Sequence, residues 1–335
     1  MSKSKHQFNR RHLSFIAFVA IYVGVIIVFS CLNENFLVAR NFLTILKHVS
    51  VTGIAALGLT FVVAVGHTDV SFYLNACFSA MYMSWLISKG FGAFPAILLG
   101  LIGAAVFGIA SGVAVGVARL PDIIITIAIG SIAFGCAYIF SDGMKIYTNF
   151  KTSGISFLND GAVLGIPTPV FFMIILYIAG FIVLEKTRVG VAFYSTGSNK
   201  TAAWYSGINV RLTIVFAFII CILMSAFAGM INTASKGNGE VKTALTFMMP
   251  CYTAVFIGKA MFRRPCMIGT FLGAFLVQMI SNGINLNSIP YYIGDIVTSC
   301  MLITALLIST LNQEDAGNRP GGKKKAGIPE RGVAQ

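Results

Sequence analysis

The sequence predicts an all-α polytopic membrane protein with about ten transmembrane helices. Three observations carry this. The chain is 57% hydrophobic and only 10% charged, whereas soluble domains carry about 25% charged residues. Apolar runs of about 20 residues recur along it, each long enough to cross a bilayer as a helix. Alternating apolar–polar runs of about ten residues, the mark of a membrane barrel, are absent. The net charge of +13, which in a soluble protein would suggest nucleic acid, here reads as Lys and Arg holding helix ends at one membrane face.

The first run, 13–32, follows Lys3, Lys5, Arg10 and Arg11. It is too long for a signal peptide core and lacks a small-residue cleavage site, so it reads as an uncleaved span after a tail of 1–12. The remaining expected spans are 48–66, 72–88, 94–117, 122–140, 168–184, 212–232, 243–260, 267–283 and 291–311, giving a membrane domain of 13–311. With the N-terminus inside, the cytoplasmic segments hold 17 of the 24 Lys and Arg residues and the opposite segments 7. That bias fits an even span count with both termini in the cytoplasm of an inner or plasma membrane. The 312–335 tail, with Lys323, Lys324 and Lys325, reads as a disordered cytoplasmic extension within reach of anionic lipid.

Pro121, Pro169 and Pro290 fall at span starts, where the missing N–H costs nothing. Pro250 falls inside 243–260 and is expected to break or kink that helix. Broken helices in transporters often line the pathway, although a purely structural kink fits as well. Gly108, Gly112 and Gly116 put small residues on one helix face, where another helix can approach closely. The segment 141–167 is the longest on its side and reads as a partner-binding loop or as a floppy connector.

Candidate chemistry is sparse. Asp69, in Val65-Gly66-His67-Thr68-Asp69-Val70-Ser71, lies between two apolar runs, where an ionisable group is expensive. It reads as a polar point on the pathway, with His67, Thr68, Ser71 and Asn75, or as a cap, with Asp69 or Ser71 opening the next helix. Asp122 and Asp295 read as first-turn acids favoured by the helix dipole. The seven cysteines form no CxxC pair, so no metal is expected, nor any cofactor. No HExxH, GxSxG or Walker A pattern occurs; Gly197-Ser198-Asn199-Lys200-Thr201 has the wrong spacing. No catalytic residues are therefore expected. Uphill movement of a solute would need a separate ATPase or an ion gradient.

The longest basic interruption is 185–211. A polar connector of this length is expected to carry function. Ser198 or Asn199 is placed to cap a short helix through Ala202 and Ala203, with Gly207 closing it. Trp204 and Tyr205 add amphipathic bulk. The helix would dock on a partner or lie on the lipid surface.

The run Thr196-Gly197-Ser198-Asn199-Lys200-Thr201-Ala202-Ala203-Trp204-Tyr205-Ser206-Gly207-Ile208-Asn209-Val210 resembles the coupling-loop motif of ATP-binding cassette (ABC) permeases for ribose and related sugars. Gly66-x-x-Asp69-Val70-Ser71, Leu120-Pro121-Asp122-Ile123-Ile124-Ile125-Thr126 and Ile268-Gly269-Thr270 through Asn282-Gly283-Ile284-Asn285-Leu286 are similar to further motifs of that family. Together they cover most of 45–310. The resemblance implies a transport subunit that forms half of a translocation pathway. Its partners would be a cytoplasmic ATPase, a second permease chain, an extracytoplasmic solute-binding protein and the lipid bilayer. It assigns Gly197, Asn199, Ala202, Ala203, Ser206 and Gly207 to ATPase coupling. His67 departs from the family pattern, where a second glycine is usual. Phe72 and Tyr73 stand for small residues, and Arg263-Arg264-Pro265-Cys266 for a glycine-rich turn. These changes leave the solute open. The rival expectation is an ion-gradient-driven carrier working without an ATPase.

Overall fold

A computed structural model describes residues 18–317, so the expected tail of 1–12 and the last part of 312–335 lie outside the described residues. Every expected span corresponds to a helix. They are α1 (Phe18–Leu32), α2 (Ala39–Ala64), α3 (Phe72–Ser88), α4 (Ala93–Gly116) and α5 (Asp122–Ile139). After α6 (Phe157–Asp160) and a two-stranded hairpin, β1 (Ala162–Val163) with β2 (Ile166–Pro167), comes α7 (Thr168–Phe181). A π-turn, Ile182–Lys186, continues α7. The connector then forms α8 (Arg188–Ser198) and α9 (Lys200–Tyr205). The described residues end with α10 (Val210–Lys236), α11 (Met248–Phe262), α12 (Met267–Leu286) and α13 (Tyr291–Gly317). Eight of these helices, some with their flanking turns, are long and apolar enough to cross a membrane.

Burial sorts the bundle. The most apolar windows of α2 and α10 are 78% and 67% buried, against 22% for α4 and α5 and 11% for α13. The first two form the centre, and the others turn apolar side chains outward. On α4 the outward stripe is Phe94, Leu98, Ile102, Val106, Ile109 and Val113, at helical spacing for one face. The opposite face carries Gly100, Ala104, Gly108, Gly112 and Gly116. A Cβ on Gly112 would stand 2.8 Å from the Val215 Cα, and one on Gly116 2.9 Å from the Arg211 carbonyl oxygen. The small face thus brings α4 and α10 together at backbone distance, as the glycine spacing implied. Gly273 does the same for α11 and α12, where its Cβ would lie 2.1 Å from the Ala254 carbonyl oxygen.

The α3 helix is short at 17 residues, yet its Asn75, Ser79 and Ser84 are buried. Other helices surround it instead of lipid, so polar side chains are tolerated once bonded to backbone. Ser84 Oγ donates to the Ala80 carbonyl oxygen at 2.7 Å and Asn75 Nδ2 to that of Ser71 at 3.0 Å.

Four expectations are corrected. The helix expected from 48 starts at Ala39, because Asn41, Thr44, Lys47 and His48 face a cavity and lower the local hydropathy without ending the helix. Pro250 does not kink a helix interior. It sits in the first turn of α11, after a 3₁₀ turn at Leu245–Phe247, where its missing N–H costs nothing. The 141–167 segment is not a floppy connector. Ile146 pairs with Gly239 through backbone bonds of 2.9 and 2.8 Å, and Phe150, Ile155 and Leu158 are buried. The last helix also runs past 311 to Gly317.

Candidate functional site

Two recesses open at opposite ends of α10. They are lined from Val210 to Ile214 at one end and from Ile231 to Ser235 at the other. At 1.5 Å per helical residue the separation is roughly 30 Å.

The recess at the hairpin end has a volume of about 560 Å³ and includes Pro250, Gln278 and Asp295 in its wall. A neighbouring one of about 340 Å³ shares Thr44, His48, Gln278, Ser281 and Asn285. Most of these side chains are neutral hydrogen-bonding groups. Gln278 Nε2 donates to Thr52 Oγ1 at 2.5 Å, and Asn41 Nδ2 to Asn282 Oδ1 at 3.0 Å. Lys47 Nζ donates to the Asn159 carbonyl oxygen at 3.3 Å.

The recess at the α8–α9 end is larger, about 940 Å³, and is lined by His67, Arg119, Lys200, Trp204 and Arg211 among others. His67 joins three elements here. Its Nδ1 lies 3.1 Å from Asp122 Oδ2, at the start of α5, and its Nε2 lies 2.8 Å from Lys200 Nζ, at the start of α9. The Lys200 ammonium can only donate, so Nε2 accepts, and Nδ1 carries the proton and donates to Asp122. Asp122 Oδ2 also accepts from the Thr68 N–H at 2.9 Å, and its Oδ1 from the Ile123 N–H at 2.9 Å. Burial, then the Lys200 charge, push the imidazole below its usual value, against the opposing pull of Asp122. The ring is therefore neutral near pH 7.

Asp69 is fully buried beside this point. Its Oδ1 accepts from the Ser71 N–H at 2.8 Å and from the Ser71 hydroxyl at 2.6 Å. That is an Asx-type turn leading into α3; Ser71, the residue at the cap position, makes no capping bond with its own side chain. Tyr252 on α11 donates its hydroxyl to the Asp69 carbonyl oxygen at 2.9 Å. Burial raises the Asp69 carboxyl to about 6, against the lowering effect of the Ser71 bonds. Of the six residues grouped as a pathway, His67 and Thr68 stand at the α8–α9 end. Asp69, Ser71 and Asn75 are enclosed in the protein, and Pro250 lines the recess at the hairpin end.

The connector forms two helices instead of one. Asn199 caps α9, its Oδ1 accepting from the Ala202 N–H at 3.0 Å. Gly207, with φ +81°, follows its end. Gly197 belongs to α8 and has another duty: a Cβ there would stand 2.0 Å from the Ala64 carbonyl oxygen, so the backbones of α8 and α2 meet at this point. Ala202 and Ser206 are exposed, but Ala203 is buried and faces inward. The outward face is aromatic, with Trp204 63% and Tyr205 78% exposed.

A second tie holds the connector. Arg264 Nη2 donates to Glu185 Oε2 at 2.7 Å, and the Tyr194 hydroxyl lies 2.7 Å from Glu185 Oε1 and 2.9 Å from the Pro265 carbonyl oxygen. The Arg264 guanidinium also lies over the Tyr194 ring, 5.1 Å from its centroid. Burial and the Glu185 carboxylate push the Tyr194 phenol above its usual value. The Arg263–Cys266 turn, which departs from the glycine-rich pattern, thus anchors the connector. Sequence reasoning missed the His67–Asp122–Lys200 chain and this clamp, because both join residues far apart in sequence.

Comparison with known proteins places this geometry. A family model described as branched-chain amino acid transport system / permease component matches residues 41–306. The ribose import permease protein RbsC of Haemophilus influenzae is 29% identical over 91% of this chain and 95% of its own length. That of Bacillus subtilis is 29% identical over 87% of this chain and 91% of its own. The D-allose transport system permease protein AlsC of Escherichia coli is 28% identical over 86% and 89%. No solved structure matches. With an all-α bundle of membrane-spanning helices and a family match across 41–306, the chain belongs to the family of branched-chain amino acid transport system permease components.

Proposed function

We propose that the chain is the membrane-spanning subunit of an ATP-binding cassette importer for a sugar or related small polar solute. It forms half of the translocation pathway with a second permease chain. A cytoplasmic ATPase drives it, and an extracytoplasmic binding protein delivers the solute. The relatives named for ribose and D-allose transport support the solute class. So does the hairpin-end recess, whose Gln, Asn, Ser and Thr lining suits hydroxyl groups. Family membership speaks against a carrier working alone on an ion gradient.

The observation that carries the coupling reading is the build of the α8–α9 connector. It is fixed to α2 at Gly197, to α5 through Lys200, His67 and Asp122, and to the α11–α12 turn through Tyr194, which meets Pro265 and the Glu185 that Arg264 holds. It still presents Ala202, Trp204, Tyr205 and Ser206 outward. A surface held at three points and left uncovered suits transmission of a partner's movement. On this reading the basic end is the cytoplasmic one, with both termini on the same side. Solute would enter by the recess at Pro250 and leave past His67 and Thr68, with Asp69, Ser71 and Asn75 in the closed middle.

Ala202→Trp tests this reading. The complex is expected to reach the membrane at normal abundance while losing ATPase co-purification and uptake. Retention of both would show that α9 is a surface helix only.

A further inference from the structure

The recess beside α9 collects positive charge that the fold does not neutralise. Arg119, Lys200 and Arg211 line it, from the α4–α5 turn, from α9 and from the start of α10. None of the three lies within ion-pair distance of a carboxylate among the described residues. Asp122, which holds His67, is already committed to that ring, to the Thr68 N–H and to the Ile123 N–H. The first turn of α10, a 27-residue helix, opens into the same space through Asn209, Val210 and Arg211, adding the positive end of its dipole.

Orientation in the bilayer explains basic residues on this face, but it does not require that they share a recess. Nor does it require that one of them be aimed. Lys200 is aimed: His67 accepts from its ammonium, and Asp122 fixes the ring. Like charges gathered around a concave recess focus the field and call for an anionic occupant. The recess runs up to exposed Trp204 on α9, the helix on which the ATPase docks in the reading above.

We infer that this recess receives an acidic segment of the docked ATPase, so that Arg119, Lys200 and Arg211 form the electrostatic half of the coupling contact. The inference rests on the docking reading and adds the chemistry of the partner. An aromatic ridge, Trp204 and Tyr205, would supply apolar contact, and the recess beside it would take Asp or Glu side chains. Such a contact is salt-sensitive, because its charges lie at the rim of an open cleft.

The test is retention of the cognate ATPase on the affinity-tagged permease in lipid nanodiscs, across salt from about 0.05 to 0.5 M. Four forms are compared: wild type, Arg119→Gln/Arg211→Gln, Arg119→Lys/Arg211→Lys and Ala202→Trp, each checked for intact folding by its thermal transition. The Gln double variant is expected to weaken ATPase affinity by at least tenfold at low salt and to flatten its salt dependence. The Lys variant keeps the charge and should retain most of the affinity, which separates lost charge from lost fold. If the Gln variant binds as wild type does while Ala202→Trp does not, docking stands and the acidic-segment inference falls. If Ala202→Trp also binds, the docking reading falls and takes the inference with it. If the Gln variant loses ATPase only in discs containing phosphatidylglycerol and not in phosphatidylcholine discs, the cations serve lipid headgroups and the inference is overturned.

Discussion

Lys200 Nζ lies 2.8 Å from His67 Nε2, a contact between residues 133 positions apart that joins the connector to the turn between α2 and α3. His67 is also bonded to Asp122, so three elements meet at one imidazole. Its neutral form is required, since a proton on Nε2 would put two cations face to face.

That requirement sets a pH dependence. The folded-state value of His67 is lowered by burial and by Lys200, so below the ordinary value of about 6.5 the unfolded chain binds more protons. Stability from this group is complete above that value and is lost as pH falls toward the folded-state value. Thermal denaturation between about pH 8 and 5 should show a smaller acid-side decline in His67→Gln than in wild type. Identical profiles would show that the ring is not held neutral.

Gly197 and Gly207 flank the same short helix but should respond differently. A Cβ at Gly197 collides with the Ala64 carbonyl oxygen, whereas nothing lies near a Cβ at Gly207, whose cost is its φ of +81° alone. Gly207→Ala is expected to cost about 1 kcal/mol. Gly197→Val should cost more than about 3 kcal/mol and lower membrane abundance. Thermal shift and quantitative blotting compare them, and equal effects would contradict the close approach of α8 to α2.

Asp69 is bonded through one oxygen to Ser71, and its carboxyl is raised to about 6. An amide keeps the acceptor and carries no charge to bury. Asp69→Asn should therefore match wild-type abundance, and Asp69→Ala should lose about 0.5–2 kcal/mol with reduced transport. A fully active, normally expressed Asp69→Ala would refute a role for the side chain.

The Arg264–Glu185 pair is short at 2.7 Å, but its Arg side chain is 57% exposed, so solvent screens it. A double-mutant cycle with Arg264→Gln and Glu185→Gln should return about 0.5–1 kcal/mol of coupling. The value should fall with added salt. Zero coupling at low salt would mean that the turn does not anchor the connector.

The bundle was legible in the sequence because lipid imposes its signature locally. Each span is an apolar run, and the glycine spacing of α4 exposed its packing face. What was misread depended on distant partners. A span was expected to begin only at 48, after Lys47, yet Lys47 and His48 line a cavity on an unbroken α2. Which face of α9 Ala203 would take was not legible either: it is buried, while Ala202 and Ser206 are exposed. Asp122 was read as a dipole partner alone. Its bonds to His67 and Thr68 need the α5 start beside the α2–α3 turn, which no local pattern encodes.

The central claim is that ATP hydrolysis by a partner drives solute through this chain. The direct measurement is sugar uptake into proteoliposomes holding the permease, its ATPase and its binding protein, with all ion gradients collapsed by ionophores. The account predicts uptake that requires hydrolysable ATP on the α8–α9 side and stops in Ala202→Trp. Uptake that persists without ATP and vanishes when the gradients are collapsed would contradict it.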